Sequence, residues 1–130
     1  MPPYATYECR NLIHCIMKAS ASELLQRLPG PPSPKWPDGE RSVAAFSHGT
    51  LTVKLYAPHG LDPQTPHDRD EVYFVLSGSS DFIVAGERSR FVAGDALFVT
   101  ASVEHRFENF TPDFATWVVF YGPVGGEQTL

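Results

Sequence analysis

From Arg41 to Tyr121 turn residues cut the chain into short apolar runs at regular intervals, and no stretch between them carries the period of a long helix. That rhythm points to an all-β fold. Thr50–Tyr56 sets Leu51, Val53 and Leu55 against Thr52, Lys54 and Tyr56, a period of two that gives a strand two different faces. Glu71–Leu76 and Asp81–Val84 flank "SGSS", which reads as a tight turn. "AGER", Ala85–Arg88, reads as a hairpin because Gly tolerates positive φ. Further strands are expected at Ser42–Phe46, Arg90–Val92, Ala96–Thr100, His105–Asn109 and Ala115–Tyr121. About eight strands without a long helix imply a barrel or jelly roll, which protects the edges an open sheet exposes; an immunoglobulin-type sandwich has the same strand pattern.

The 130 residues fit one domain, since domains peak at roughly 100–150 residues. Residues 1–40 are expected to be an N-terminal extension with a short helix and a linker, 41–122 the barrel and 123–130 a tail. In "MKASASELLQRLPG", opened by Met17, Ser20 and Glu23 are spaced as a capping box and Leu24, Leu25 and Leu28 share a face. The spacing predicts a helix over 20–28, stopped by Pro29 and Gly30. Residues 1–16 are expected to have little fixed role, or to add a strand to a partner subunit. "PGPPSPKWPDGE", Pro29–Glu40, is an extended linker because each Pro fixes φ and removes a donor, and Trp36 is expected to pin it to the domain.

Ten basic against fifteen acidic residues give a net charge of −5 with no basic patch, so nucleic acid is not an expected partner. No apolar run approaches the ~20 residues of a membrane span, and "NLIHCIM" is too short for a secretory core. Cys9 and Cys15 lie outside the barrel and read as reduced thiols. A soluble cytoplasmic protein is expected.

The chemistry concentrates in "TPHDRDEVYFVLSG", Thr65–Gly78. The β-branched and aromatic run Val72–Val75 argues that Glu71 lies on a strand. On one straight strand His67 and Glu71 would be about 13 Å apart at ~3.3 Å per residue, too far to share a metal through bonds of ~2 Å. The chain must turn at Asp68, Arg69 and Asp70, leaving His67 ending one strand and Glu71 starting the next.

This stretch and "GDALFVTASVEHRFEN", Gly94–Asn109, resemble the two motifs of the cupin superfamily, small single-domain jelly-roll barrels (double-stranded β-helices) that commonly hold one divalent metal. In the first motif a His-x-His pair is followed by Glu and then Gly, positions matched by His67, Glu71 and Gly78. In the second, Gly94 is followed at family spacing by His105 and Asn109. The first His of the pair is Thr65 here, and the Pro and Gly of the second motif appear as Thr100 and Ser102. The resemblance implies a metal set of His67, Glu71 and His105, a two-His-one-carboxylate triad with open positions for water, substrate or dioxygen. Neither His59 nor Gln64 has the strand alternation of a fourth contact. The metal so implied is a divalent ion, and Fe, Zn, Ni and Mn are alike open to it, since imidazole and carboxylate suit all four. Without it, the same three groups would form a hydrogen-bonded polar cluster.

Alternation from Glu71 and His105 sends Tyr73, Val75 and Ser77, and Phe107 and Asn109, into the barrel. With Thr65, the residues Tyr73, Phe107 and Asn109 are the expected substrate pocket, suited to a small, partly apolar organic acid or carbonyl compound. Lys54, Tyr56 and Trp117 are candidates from neighbouring strands. Glu71 and Tyr73 are the catalytic candidates, Tyr73 as proton donor. The expected function is a metal-dependent enzyme of oxygenase, isomerase or lyase type; the alternative is a non-catalytic small-ligand-binding cupin with a degenerate metal site. A metal-free sugar epimerase lacks an evident acid and base pair. A homodimer is expected, since small cupins commonly pair, with residues 1–16 or Ser42–Phe46 at the contact.

Overall fold

The structure, a computed structural model, describes residues 17–129. Cys9, Cys15, His14 and the proposed extension over 1–16 lie outside the described residues. Eight strands form among those described: β1 (Ser42–His48), β2 (Leu51–Tyr56), β3 (Asp70–Ser77), β4 (Ser79–Val84), β5 (Glu87–Val92), β6 (Ala96–Val99), β7 (His105–Glu108) and β8 (Ala115–Tyr121). They make a five-stranded sheet in the order β1-β2-β8-β3-β6 and a three-stranded sheet in the order β5-β4-β7. Each strand pair is antiparallel. This is the jelly roll expected of the strand rhythm.

Alternation places the core. The inward set of the larger sheet, Tyr73, Val75, Leu97, Val99 and Val118, meets Phe82 and Phe107 of the smaller one, with Phe114 closing the layer. Each such side chain contributes about 1.5–3 kcal/mol relative to leaving it in water. On the opposite face of β1 and β2, Val43, Ala45 and Leu55 form a second cluster under Leu24 of the helix α1 (Ala21–Leu25). Trp117 packs there too, away from the barrel interior.

The helix is shorter than the 20–28 expected. Ser20 caps it, its Oγ accepting from Glu23 N. Beyond Leu25 the bonds Arg27 N to Leu24 O and Leu28 N to Leu25 O are the tighter three-residue kind. Pro29 disfavours helical backbone at Leu28, so the last turn unwinds.

"SGSS" is not a hairpin turn. β3 and β4 do not pair; the chain changes sheets at Gly78, whose φ of +70° suits a residue without Cβ. A Cβ there would also press on Thr111 and lie 2.9 Å from Phe114 Cα. "AGER" does form a hairpin: Ala85 (φ 48°) and Gly86 (φ 85°) make a two-residue loop closed by the Val84–Glu87 pair.

The Pro-rich linker folds back on itself through Gly30 N to Glu40 O at 2.7 Å, and Trp36 lies edge-on to Tyr56 with ring centroids 6.0 Å apart. No helix among the described residues is long and apolar enough to cross a membrane.

Candidate metal centre

Glu71 is the second residue of β3, between β6 and β8, and alternation turns it inward with Tyr73. His105 opens β7 on the facing sheet, opposite Val84. His67 does not end a strand as expected: residues 62–67 are coil, with bends at Asp68 and Arg69 before β3 begins. That coil is tied down by Ser102 N to His67 O at 2.6 Å, and the His67 ring sits edge-on to Phe120 at 4.9 Å. One ligand atom from each of His67, Glu71 and His105 lies within 4.8 Å of the others, so the three could hold a metal ion.

Proton bookkeeping shows what such a cluster lacks. His105 Nδ1 donates to the Val103 carbonyl at 2.8 Å, which leaves Nε2 an acceptor in the neutral ring. That Nε2 lies 2.6 Å from Glu71 Oε1. The pair is close, yet neither Glu71 oxygen receives a properly aligned hydrogen bond, although the side chain is 1% exposed. Two lone pairs at that separation require a positive charge between or beside them. A buried carboxylate left without donors costs several kcal/mol. The donor set, two imidazoles and a carboxylate in a dry site, therefore fits a divalent cation, with His105 Nδ1 fixed in the tautomer that ligating histidines use.

Burial pulls the His67 imidazolium below the usual histidine range, against the attraction of Glu71 and helped by His105, Lys35 and Lys54. At His105 burial acts the same way, but the Glu71 contact and charge, with the Val103 carbonyl, outweigh it and raise the pKa. Burial, and then the Glu71 and Asp62 charges, hold the Tyr73 phenol well above its ordinary value. Its hydroxyl lies 3.1 Å from His105 Nε2 and donates to Gln64 Oε1 at 3.0 Å.

Gln64, discounted on alternation, is therefore at the centre, its Oε1 3.4 Å from His67 Nε2. Coil backbone does not obey the strand rule that excluded it. Thr65, by contrast, is exposed and lies outside the pocket. Phe107 is inward but buried in the core, its ring 5.1 Å from that of Tyr73, and supports the pocket without lining it. Asn109 is not inward: β7 ends at Glu108, Asn109 turns to φ 52°, and its amide donates to Asp81 on the outer surface at 2.9 Å. His59 lies in an exposed loop away from the centre.

A cavity of about 160 Å³ opens above the triad. Its walls include Lys54 and Tyr56 of β2, Phe120 of β8, and Lys35 and Trp36 of the linker. The linker residues were not anticipated as pocket walls; their only signal was an aromatic and a cation in an otherwise proline-fixed segment.

Comparison with known proteins agrees with this architecture. A family model described as Cupin domain matches residues 52–121, just over half of the chain. An uncharacterized protein of Streptomyces coelicolor is 39% identical over 75 residues, covering 56% of this chain and 71% of that protein. Among solved structures, KdgF from Halomonas sp. has a TM-score of 0.55 at 19% identity, covering 62% of this chain and 76% of that one. The DMSP lyase DddQ from Ruegeria pomeroyi DSS-3 has a TM-score of 0.54 at 23% identity. That alignment covers 62% of this chain but only 46% of the lyase, less than half its length. At these identities the structural likeness is one of fold.

Proposed function

The chain belongs to the cupin superfamily, and from that premise we propose that it is a metal-dependent enzyme of oxygenase, isomerase or lyase type acting on a small organic acid or carbonyl compound. His67, Glu71 and His105 would hold one divalent ion, Fe, Zn, Ni or Mn. The observation that carries this is the 2.6 Å approach of His105 Nε2 and a buried Glu71 oxygen that no donor satisfies. A cation bound there supplies Lewis-acid polarisation of a carbonyl or, as iron, activation of dioxygen.

The remaining chemistry belongs to the chain's own groups. Glu71 Oε2, which no donor satisfies and which is not the oxygen 2.6 Å from His105, is the acceptor for a substrate proton. The Tyr73 hydroxyl, kept neutral by burial and the Glu71 charge, is placed to donate one. Lys54 is half-buried on the barrel side of β2 and makes no ion pair among the described residues, so it suits the carboxylate of an organic acid, with Lys35 nearby at the mouth. Trp36 and Phe120 supply apolar walls. A cavity of about 160 Å³ compares with the ~150 Å³ that takes up benzene, which suits a small organic molecule.

A cytoplasmic homodimer completes the proposal, supported by the paucity of cysteine and by apolar side chains on the outer face of β3 and β6, Phe74 at 49% and Phe98 at 56% exposure. The second reading is a non-catalytic ligand-binding cupin in which a proton on His105 Nε2 replaces the metal; the raised His105 pKa favours it. Reconstitution with each metal, followed by elemental analysis of wild type and His105→Ala, separates the two. About one equivalent in wild type and its loss in the variant are expected. Less than a tenth of an equivalent in both would leave the proton-bridged pair.

A further inference from the structure

We propose that Gln64 supplies a fourth donor of this centre, its side-chain oxygen standing in for the histidine replaced by Thr65, and that the buried Asp62 carboxylate is the positioning residue that aims it. The assignment rests on the metal-binding proposal above and is tested apart from it.

Residues 62–67 have no strand ladder to hold them, yet they carry both Gln64 and His67. Asp62, 9% exposed, anchors the Gln64 end as Ser102 N anchors the His67 end. Its Oδ1 accepts from the Tyr56 hydroxyl at 2.5 Å and from Gln64 N at 3.3 Å. Its Oδ2 accepts from Phe107 N at 2.8 Å and from the Gln64 side-chain Nε2. Four donors, from β2, from β7 and from both ends of Gln64, thus converge on one carboxylate.

This clamp fixes which way the Gln64 amide faces. A carboxylate accepts and does not donate, so the NH₂ end must point at Asp62. The carbonyl oxygen is then turned to the opposite side, where it meets Tyr73 and lies 3.4 Å from His67 Nε2. An amide oxygen aimed in this way, 3.4 Å from the His67 nitrogen of the triad, is a neutral hard donor. Carbonyl oxygen suits manganese better than an added imidazole would, whereas a third imidazole favours nickel or zinc. Gln64 should therefore tilt the centre toward the harder ions, and as the weaker donor it is the one a chelating substrate can displace.

The test uses the full-length protein, stripped of metal and titrated with Mn²⁺, Co²⁺ or Ni²⁺ alone against a competing chelator dye. Gln64→Leu is expected to weaken binding by about 10–100-fold and to intensify the Co²⁺ visible bands as the coordination number drops. Gln64→His is expected to tighten Ni²⁺ at least tenfold more than Mn²⁺. Asp62→Asn is expected to weaken all three ions and to change the Co²⁺ bands in the direction of Gln64→Leu, which general loosening of the fold would not do. Should Asp62→Asn fail to fold, Asp62→Glu keeps the charge while moving the carboxylate oxygen that Gln64 Nε2 meets; an unchanged Co²⁺ spectrum there overturns the positioning role. If Gln64→Leu binds as wild type does while His105→Ala does not, Gln64 is no donor and the triad stands without it. If wild type itself takes up no ion, the triad falls, and the role of Gln64 with it.

Discussion

Glu71 is where the demands of folding and chemistry conflict most. A buried carboxylate with no aligned donor weakens the metal-free barrel, and Gln at that position removes the charge while its amide can donate to the bare His105 Nε2. Glu71→Gln is therefore expected to stabilise the metal-free protein at pH 8 by about 1–3 kcal/mol in urea unfolding and to abolish tight metal binding. His105 gives the matching pH dependence. Its folded pKa is raised, so the imidazolium–Glu71 pair stabilises the metal-free protein fully below the unfolded value of about 6.5, and that contribution is lost as pH rises through the higher folded value. Metal-free wild type should thus lose stability above about pH 6.5, and Glu71→Gln should flatten that slope; a slope unchanged by the variant contradicts the pairing. The sequence placed Glu71, Tyr73 and His105 through strand alternation, which holds inside β3 and at the start of β7. It misplaced Asn109, because β7 stops one residue before it. It set Gln64 aside on strand alternation, which coil does not obey, and the orientation of that amide depends on Asp62, itself held by Phe107 N far along the chain.

Among the elements, the corner between β3 and β4 shows why pattern alone reads strands better than their partners. "SGSS" has the composition of a hairpin, and nothing local distinguishes a turn within one sheet from a step between two. What decides it is the packing of Thr111, Asp113 and Phe114 against Gly78, supplied by residues more than thirty positions away. Gly78→Ala adds a Cβ at φ +70° that would lie 2.7 Å from Asp113 Oδ1. The expected loss is more than about 2 kcal/mol in chemical denaturation, combining left-handed backbone strain with overpacking. Gly86→Ala is the control: it also has positive φ but meets nothing within 4 Å, and it should cost less. The helix is a local case: its start was legible in Ser20, and Pro29, read as its stop, ends it earlier than expected, at Leu25.

At the scale of the whole molecule, the two sheets enclose a site that faces the linker on one side, while the other side of β3 and β6 presents Phe74 and Phe98 to solvent. Val72–Phe98 and Phe74–Ala96 are paired across those strands, so the two aromatics share one outer face. Light scattering on the eluting peak of a sizing column is expected to give twice the 14.4 kDa chain mass, and Phe98→Asp the mass of one chain, with metal content unchanged. The barrel's chemistry depends on whether the chain brings His67, Glu71 and His105 to one cation, and the most direct test is anomalous diffraction from crystals of the metal-loaded protein at the absorption edge of the added ion. A single strong peak about 2.0–2.3 Å from His67 Nε2, His105 Nε2 and a Glu71 oxygen is the predicted result. A map with no peak there, or with the ion bound only at the protein surface, would contradict it.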